Sequence, residues 1–273
     1  MSTNRHTDVV SSPEHSSSTH DVLVVGAGPA GAAAGYWLGR HGHDVVMIDK
    51  KSFPREKTCG DGLTPRAVKQ LGDMGLADGL TQFHRYEGLR ATAHGRELEL
   101  QWPTHPIYPQ HGYVVRRREL DTMVARNAVA AGATLLEGHE AVAPILERGF
   151  VRGATVTTKD GEQKEIRARY VIVADGANSR FGRALGTFRT KEWPFNGEGI
   201  DYAYETARIA ADILHQAIAD NDPAALQRYQ SMLDDEYGQY FKVARLFARI
   251  IGRPVIMREL SRVGMHSRTL MEW

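Results

Sequence analysis

The sequence predicts an α/β fold built on a Rossmann-like unit. A short apolar strand at 21–25 runs directly into the turn Gly26-Ala27-Gly28-Pro29-Ala30-Gly31 and an alanine-rich helix that ends near Arg40. A second apolar strand at 44–49 then completes a βαβ unit with parallel strands. A third apolar strand, at 170–174, ends in Asp175-Gly176 far along the chain.

The glycine turn predicts a nucleotide site. Gly26 permits the turn, Gly28 lets backbone approach a pyrophosphate, and Gly31 lets the helix pack closely on the strand, as Gly35 does one turn later. Asp49 ends the second strand, where a carboxylate accepts the ribose hydroxyls. The alternative is a purely structural turn, and the glycines alone do not separate FAD from NAD. The nucleotide contacts predicted in this unit are Gly26, Gly28, Ala30, Gly31, Asp49 and Lys50.

The remaining elements follow in order. Residues 51–66 form a charged loop rich in Gly and Pro, 112–115 are extended, and 119–131 form a helix closed by Gly132. Strands are predicted at 133–137, 150–158 and 165–174, the last two joined by the turn Lys159-Asp160-Gly161. The part from 199 to 273 is predicted to be helical, with breaks at Asp222-Pro223 and Arg253-Pro254.

Composition limits the classes of function. The 34 Lys and Arg balance 33 Asp and Glu, a net charge of +1 that does not favour nucleic acid. The one cysteine, Cys59, leaves no cysteine cluster for a metal and fits a reducing cytoplasm. Residues 1–20 are polar and are expected to be a disordered tail, and no apolar run reaches the length of a membrane span.

Two further motifs carry a family resemblance. The strand end Asp175-Gly176 resembles the Asp-Gly motif of FAD-dependent hydroxylases and geranylgeranyl reductases, although Asp-Gly is also a common turn pair. Arg117, just before Leu120-Asp121, resembles the arginine that contacts FAD phosphate or adenosine in that superfamily. Because Arg116 and Arg118 flank it, a solvated basic cluster is the alternative.

The loop Phe53-Pro54-Arg55-Glu56-Lys57-Thr58-Cys59-Gly60 resembles the Pro-Arg-x-Lys-x-Cys-Gly loop of geranylgeranyl reductases. Residues 195–203 resemble the flavin-facing turn and helix start of that family, and within it the resemblance is strongest to reductases of the menaquinone side chain. The resemblance implies an FAD enzyme that saturates an isoprenoid double bond of a polyprenyl lipid or quinone, with an electron donor that the motifs do not identify. It adds Cys59, Gly60, Arg117, Asp175, Gly176, Gly197, Gly199 and Ile200 to the FAD contacts.

Cys59 is also the predicted catalytic residue, as a proton donor or positioner near the reacting bond. The alternative is a buried thiol that acts only as a small apolar side chain.

The resemblance also implies a missing piece. In the family, a substrate domain and a Gly-Asp-Ala-Ala segment separate the Asp-Gly strand from the turn matched by Gly197, whereas here 189–194 run directly into Phe195. The predicted organisation is an FAD-binding domain with inserted strands at 21–188, a deletion junction at 189–196, the returning FAD-domain helix at 197–222 and a helical region at 223–273. Two alternatives stay open. One is an inactive or weakly active FAD-binding remnant, from a deletion or a gene-model error, and the other is an aromatic monooxygenase on the same fold.

The stretch from Lys242 to Arg268 holds seven Lys or Arg and one acid, interleaved with apolar residues. It predicts peripheral contact with an anionic membrane, at the inner face of the cell membrane for a cytoplasmic protein. The alternative is a helix pair packed on the flavin domain with a solvated basic face.

Overall fold

A computed structural model describes residues 19–187 and 199–267. The strands of its main sheet are β1 (His20–Val25), β2 (Val45–Asp49), β8 (Thr134–Glu137), β9 (His139–Glu147), β10 (Phe150–Thr158) and β11 (Gln163–Val173). They lie side by side in the order β8-β2-β1-β11-β10-β9. Neighbouring strands from β8 to β11 are parallel, whereas β10 is antiparallel to both of its neighbours, β11 and β9. The predicted α/β class and its parallel βαβ unit are therefore confirmed.

Helices pack on both faces of this sheet. Those before the gap in the described residues are α1 (Pro29–Arg40), α2 (Pro65–Asp73), α3 (Ala77–Leu80), α4 (Arg117–Ala130) and α5 (Arg180–Ala184). After the gap come α6 (Gly199–Ala219), a 3-10 turn (Pro223–Gln227), α7 (Arg228–Ile251) and α8 (Pro254–Gly264). Helices α1, α4 and α6 pack on one face of the sheet, and the short α5 packs on the other. Helix α1 packs against both α4 and α6, which places α6 in the nucleotide-binding layer.

Successive side chains of β1 and β2 point to opposite faces of the sheet and so contribute to two separate hydrophobic cores. Val22, Val24 and Met47 face α1, α4 and α6 in the larger core. Leu23, Val25 and Ile48 point to the other face, where they meet Val156 of β10 and Phe181 of α5. The central strands are thus buried on both faces, which explains their almost continuous apolar sequence.

The region between β2 and α4 contains more regular structure than the sequence predicts. The expected loop at 51–66 holds the short strand β3 (Gly62–Leu63) and the first turn of α2. Strands β3, β7 (Gly112–Val114) and β4 (His84–Tyr86) form a small sheet, and β5 (Gly88–Ala93) pairs with β6 (Arg96–Gln101) as a hairpin. The predicted junction at 189–196 lies outside the described residues.

Candidate functional site: a dinucleotide cleft

The glycine turn between β1 and α1 has the geometry that its sequence predicts. Gly26 adopts a φ of +95°, and a Cβ there would lie 2.5 Å from the carbonyl oxygen of Ala174 at the end of β11. A Cβ on Gly31 would lie 1.7 Å from the Gly26 carbonyl oxygen, and one on Gly35 would lie 2.3 Å from Met47 Sδ of β2. Glycine is required at Gly26 and Gly31 because backbone approaches too closely for any side chain, whereas a side chain at Gly35 would have to displace the flexible end of Met47.

Gly28 has a different environment. The nearest atom to its missing Cβ is Arg55 Nη2, at 3.2 Å, and no side chain caps the first turn of α1. The backbone amides at the start of α1 can therefore donate hydrogen bonds to an anion, and the helix dipole also favours negative charge there.

Asp49 ends β2 beside this turn with only a tenth of its side chain exposed. Its Oδ2 accepts a hydrogen bond from the Ala27 amide at 3.1 Å, and its Oδ1 accepts one from the Lys51 amide at 2.9 Å. These bonds fix the carboxylate at the strand end, and each oxygen keeps acceptor capacity for ribose hydroxyls.

The Asp175-Gly176 turn lies next to the glycine turn because β11 pairs with β1. Asp175 Oδ2 accepts hydrogen bonds from the amides of Arg180 and Phe181, at 3.1 and 3.4 Å, so this carboxylate caps α5. Gly176 has a φ of +93° and no neighbour that would obstruct a Cβ. The segment is thus both a turn, as its sequence allows, and part of the cleft wall.

Cys59 is exposed, so the prediction that it could be a buried small apolar residue is wrong. Its side chain lies close enough to Arg117 to interact electrostatically with the guanidinium group. Burial alone lowers the pKa of Arg117, but hydrogen bonds to Asp121 and the interaction with Cys59 outweigh it and raise the pKa. Cys59 therefore lies beside a fixed positive charge.

The solvated-cluster alternative is wrong for Arg117, whose side chain is 11% exposed. It holds for the neighbours, since Arg116 and Arg118 are 68% and 44% exposed and pair with Glu119 and Glu56.

One cleft of about 920 Å³ brings nearly all the predicted residues together. Its lining includes Gly26, Gly28, Ala30, Asp49, Lys50, Cys59, Gly60, Arg117, Asp175, Gly176, Gly199 and Ile200. Gly31 is not among the lining residues, because its contribution is the close packing of α1 on the turn. Gly197 lies outside the described residues.

Sequence reasoning missed Arg55, which is in this wall, and Asp121, its buried partner. Arg55 was only part of a matched loop, yet its guanidinium lies 3.5 Å from Asp49 Oδ2 and 3.2 Å from Asp121 Oδ2. Asp121 is fully buried and accepts two hydrogen bonds from Arg117. The spacing of Arg117 and Asp121, four residues apart on one helix, was the signal that could have revealed this pair.

Helix α6 closes the cleft, and buried polar contacts anchor it to α2. Near its start, Asp201 is 2% exposed and accepts a hydrogen bond from Thr64. One turn later, Glu205 accepts hydrogen bonds from Arg66 at 2.7 and 2.6 Å and from the Tyr237 hydroxyl at 3.0 Å. Burial alone lowers the pKa of Arg66, but its bonds to Glu205 outweigh that effect and raise it. These contacts keep the first turn of α6 in the cleft wall.

These residues fit a dinucleotide. A carboxylate lies where a ribose is expected, uncapped amides and two arginines lie where phosphates are expected, and the Cys59 loop and the start of α6 form other parts of the wall. Fold and site together define a dinucleotide-binding α/β protein. Among the described residues, no cluster of His, Cys, Asp and Glu could hold a metal ion, and no helix there is long and apolar enough to cross a bilayer.

The sequence family described as "FAD binding domain" matches residues 19–227, and the chain belongs to this family. The cofactor is accordingly FAD, which also fits the groups that line the cleft.

Similar proteins include several reductases. Over 166 residues the chain is 48% identical to a menaquinone reductase of Mycobacterium tuberculosis, and the match covers 61% of this chain and 40% of that protein. It is 35% identical over 167 residues to digeranylgeranylglycerophospholipid reductase 1 of Methanopyrus kandleri, covering 61% of this chain and 42% of the relative. The chain thus spans about two fifths of the length of these curated relatives.

Solved structures agree on the fold. A geranylgeranyl bacteriochlorophyll reductase-like protein of Thermoplasma acidophilum superposes with a TM-score of 0.80 at 19% identity, over 91% of this chain and 92% of that one. The myxobacterial FAD-dependent halogenase CndH matches with a TM-score of 0.56 at 26% identity, over 61% of this chain and 39% of that one. At 19% identity, the first similarity extends to the fold alone.

Proposed function

We propose that this protein is an FAD-dependent reductase that saturates an isoprenoid double bond of a polyprenyl lipid, specifically in the menaquinone side chain. The observation that carries the proposal is the cleft in which the glycine turn, the Asp175-Gly176 turn and the exposed Cys59 meet. The 48% identity to a menaquinone reductase supports this choice of substrate.

Different residues of the cleft bind the cofactor and handle the proton in the proposed reaction. When bound and reduced, FAD supplies a hydride equivalent. Asp49 and the α1 amides hold the nucleotide, and Gly199 and Ile200 form the wall at the start of α6. Cys59 Sγ, which lies beside the charge of Arg117, either donates the proton that the second alkene carbon receives or positions that carbon.

The test is reconstitution of the purified chain with FAD, followed by anaerobic chemical reduction and incubation with an unsaturated menaquinone. Mass spectrometry is expected to detect a product heavier by two hydrogens. Assayed on protein that is fully loaded with FAD, Cys59→Ala should abolish most turnover, and Cys59→Ser, which keeps a weaker proton donor, should be intermediate. Equal turnover of Cys59→Ala and wild type would remove Cys59 from the mechanism, and no product from FAD-loaded protein would contradict the reductase proposal.

A second candidate is an FAD-binding remnant with little or no activity. The observation in its favour is that the chain spans only 40% of the length of the menaquinone reductase. Sequencing the source DNA across the codons for Trp193 to Asn196 tests it, because intervening coding sequence would contradict a remnant. The aromatic monooxygenase alternative is less favoured, because curated relatives at 48% and 35% identity are named as reductases.

The proposed substrate belongs to a membrane, and the α7–α8 helix pair supports contact with its surface. Val243, Leu246 and Phe247 of α7 are 54–66% exposed, and Val255, Leu260 and Val263 of α8 are 52–66% exposed. Between residues 242 and 262, basic residues accompany this apolar surface at Lys242, Arg245, Arg249, Arg253, Arg258 and Arg262, and the one acid in that stretch is Glu259. Apolar side chains beside excess positive charge suit an anionic bilayer better than they suit water. We therefore place the protein at the inner face of the cell membrane.

Flotation with vesicles checks this surface. The protein should float with vesicles containing anionic phosphatidylglycerol, less with neutral vesicles, and less still when Leu246→Asp is introduced. Leu146→Asp, at a position 58% exposed on strand β9, is the matched control and should float like wild type. If both variants float equally, the α7–α8 pair is not the contact surface.

A further inference from the structure

Asp121 is a buried carboxylate shared by two arginines from different parts of the chain. Its Oδ1 accepts a hydrogen bond from Arg117 Nε at 2.8 Å, and its Oδ2 accepts one from Arg117 Nη2 at 3.0 Å. The same Oδ2 lies 3.2 Å from Nη1 of Arg55, which comes from the loop after β2. Its side chain has no exposed area, so no solvent can replace either partner.

The two arginines reach the cleft from this anchor. Both side chains are 11% exposed and both line the cleft. Arg55 Nη2 lies 3.2 Å from the position of a Cβ on Gly28, next to the uncapped turn of α1. An arginine has five N–H donors; Arg117 donates from two of them to Asp121, and Arg55 forms an ion pair with the same carboxylate. The other donors include groups that can meet an anion at the same helix end.

Tyr204 of α6 lies near enough to Asp121 for the charge of that carboxylate to act on its phenol. It is 1% exposed, and its hydroxyl has no hydrogen-bond partner within the described part of the chain. Burial raises the pKa of this phenol, and the nearby charge of Asp121 raises it further, so Tyr204 stays neutral. Because this phenol is uncharged, the charged partners of Asp121 are the guanidinium groups of Arg55 and Arg117.

We propose that Asp121 is a positioning residue for the phosphates of the cofactor, holding Arg55 and Arg117 so that their remaining donors face the pyrophosphate beside Gly28. The inference rests on the FAD family of the chain and is independent of the proposed reductase activity. Fixing two flexible cations in advance removes the entropy that they would otherwise lose when the ligand binds.

The test compares ligands with and without phosphates. In the full chain, Asp121→Asn keeps the shape of the side chain and removes its charge. We expect the affinity for FAD, and for ADP as its competitor, to fall about 10- to 100-fold, as when hydrogen bonds to charged groups are lost. Adenosine, which has no phosphate, should bind within about twofold of wild type by the same arithmetic. A structural defect would weaken both competitors alike.

A second pair of variants keeps the test decisive if Asp121→Asn does not fold. Arg55→Gln should weaken ADP and spare adenosine, whereas Arg118→Gln, at an exposed arginine paired with Glu56, should change neither. The proposal is overturned if Asp121→Asn binds FAD like wild type, if ADP and adenosine weaken equally, or if Arg55→Gln leaves ADP binding intact.

Discussion

Substituting Gly31 by alanine is expected to damage both the fold and the cofactor site, and the structure gives the size of the effect. The new Cβ would lie 1.7 Å from the Gly26 carbonyl oxygen. Because carbon–oxygen contacts are normally no shorter than about 3.3 Å, α1 would have to move by about 1.6 Å. The obstacle is backbone, so no rotamer change relieves it. We expect a loss of about 3 kcal/mol or more in the free energy of unfolding.

The same movement displaces the α1 amides from the phosphate position. Losing one such hydrogen bond costs about 1.5 kcal/mol, so FAD affinity should fall at least about tenfold. Urea unfolding followed by circular dichroism measures the first effect, and quenching of FAD fluorescence measures the second.

Gly238→Ala is the matched control for Gly31→Ala. Gly238 lies inside α7 with nothing near its missing Cβ, so the substitution should stabilise the protein by about 1 kcal/mol through helix propensity. If Gly31→Ala unfolds at the wild-type urea concentration and retains FAD, the close-approach argument is wrong.

Three further predictions concern single side chains. Glu205→Ala leaves the partly buried Arg66 without its carboxylate partner and should lower the free energy of unfolding by about 2–3 kcal/mol in urea titrations. Asp49→Ala removes the proposed ribose acceptor and should weaken FAD binding about 10- to 100-fold in fluorescence titrations. His43, 2.9 Å from His215 Nδ1, has its pKa lowered by burial and by His215. Its folded pKa lies below the unfolded 6.5, so its stabilising contribution is complete above pH 6.5 and is lost as the pH falls; His43→Gln should reduce this acid sensitivity.

Each of these has a control. Glu87→Ala removes an exposed partner of Arg85 and should leave the unfolding midpoint unchanged. Lys50→Ala changes the residue next to Asp49 and should affect FAD binding less than Asp49→Ala does. His94→Gln makes the same substitution at an exposed histidine and should keep the wild-type pH dependence. Glu205→Ala with wild-type stability, Asp49→Ala with wild-type FAD affinity, or His43→Gln with undiminished acid sensitivity would each contradict its prediction.

The sequence predicts the parallel part of the fold well because local signals there agree. The β1 and β2 strands are almost continuous apolar runs, and Gly26 and Gly31 between them meet specific backbone requirements. The pattern is weaker in β9, where Pro144 interrupts the strand and the pairing with β10 is irregular. Proline is tolerated there because β9 is the edge strand of the sheet.

The β5–β6 hairpin was missed for a different reason. Its strands are short, largely exposed and carry charges such as Arg90, which pairs across the hairpin with Glu97 and Glu99. Apolar residues do alternate with polar ones in both strands, at Leu89 and Ala91 and at Leu98 and Leu100, but the runs are too short and too charged to stand out as strands. The Arg55–Asp121 contact is likewise tertiary, since 66 positions separate residues that only the folded chain brings together.

Residues from both sides of the gap in the described chain build one FAD site. The most direct test of this site is the visible absorption spectrum of the purified protein after incubation with excess FAD and desalting. We expect a yellow protein in which the wild type retains one FAD per chain after desalting. Gly31→Ala should retain less FAD per chain. A colourless protein that circular dichroism shows to be folded would contradict this expectation, because the cleft would then exist without binding its cofactor.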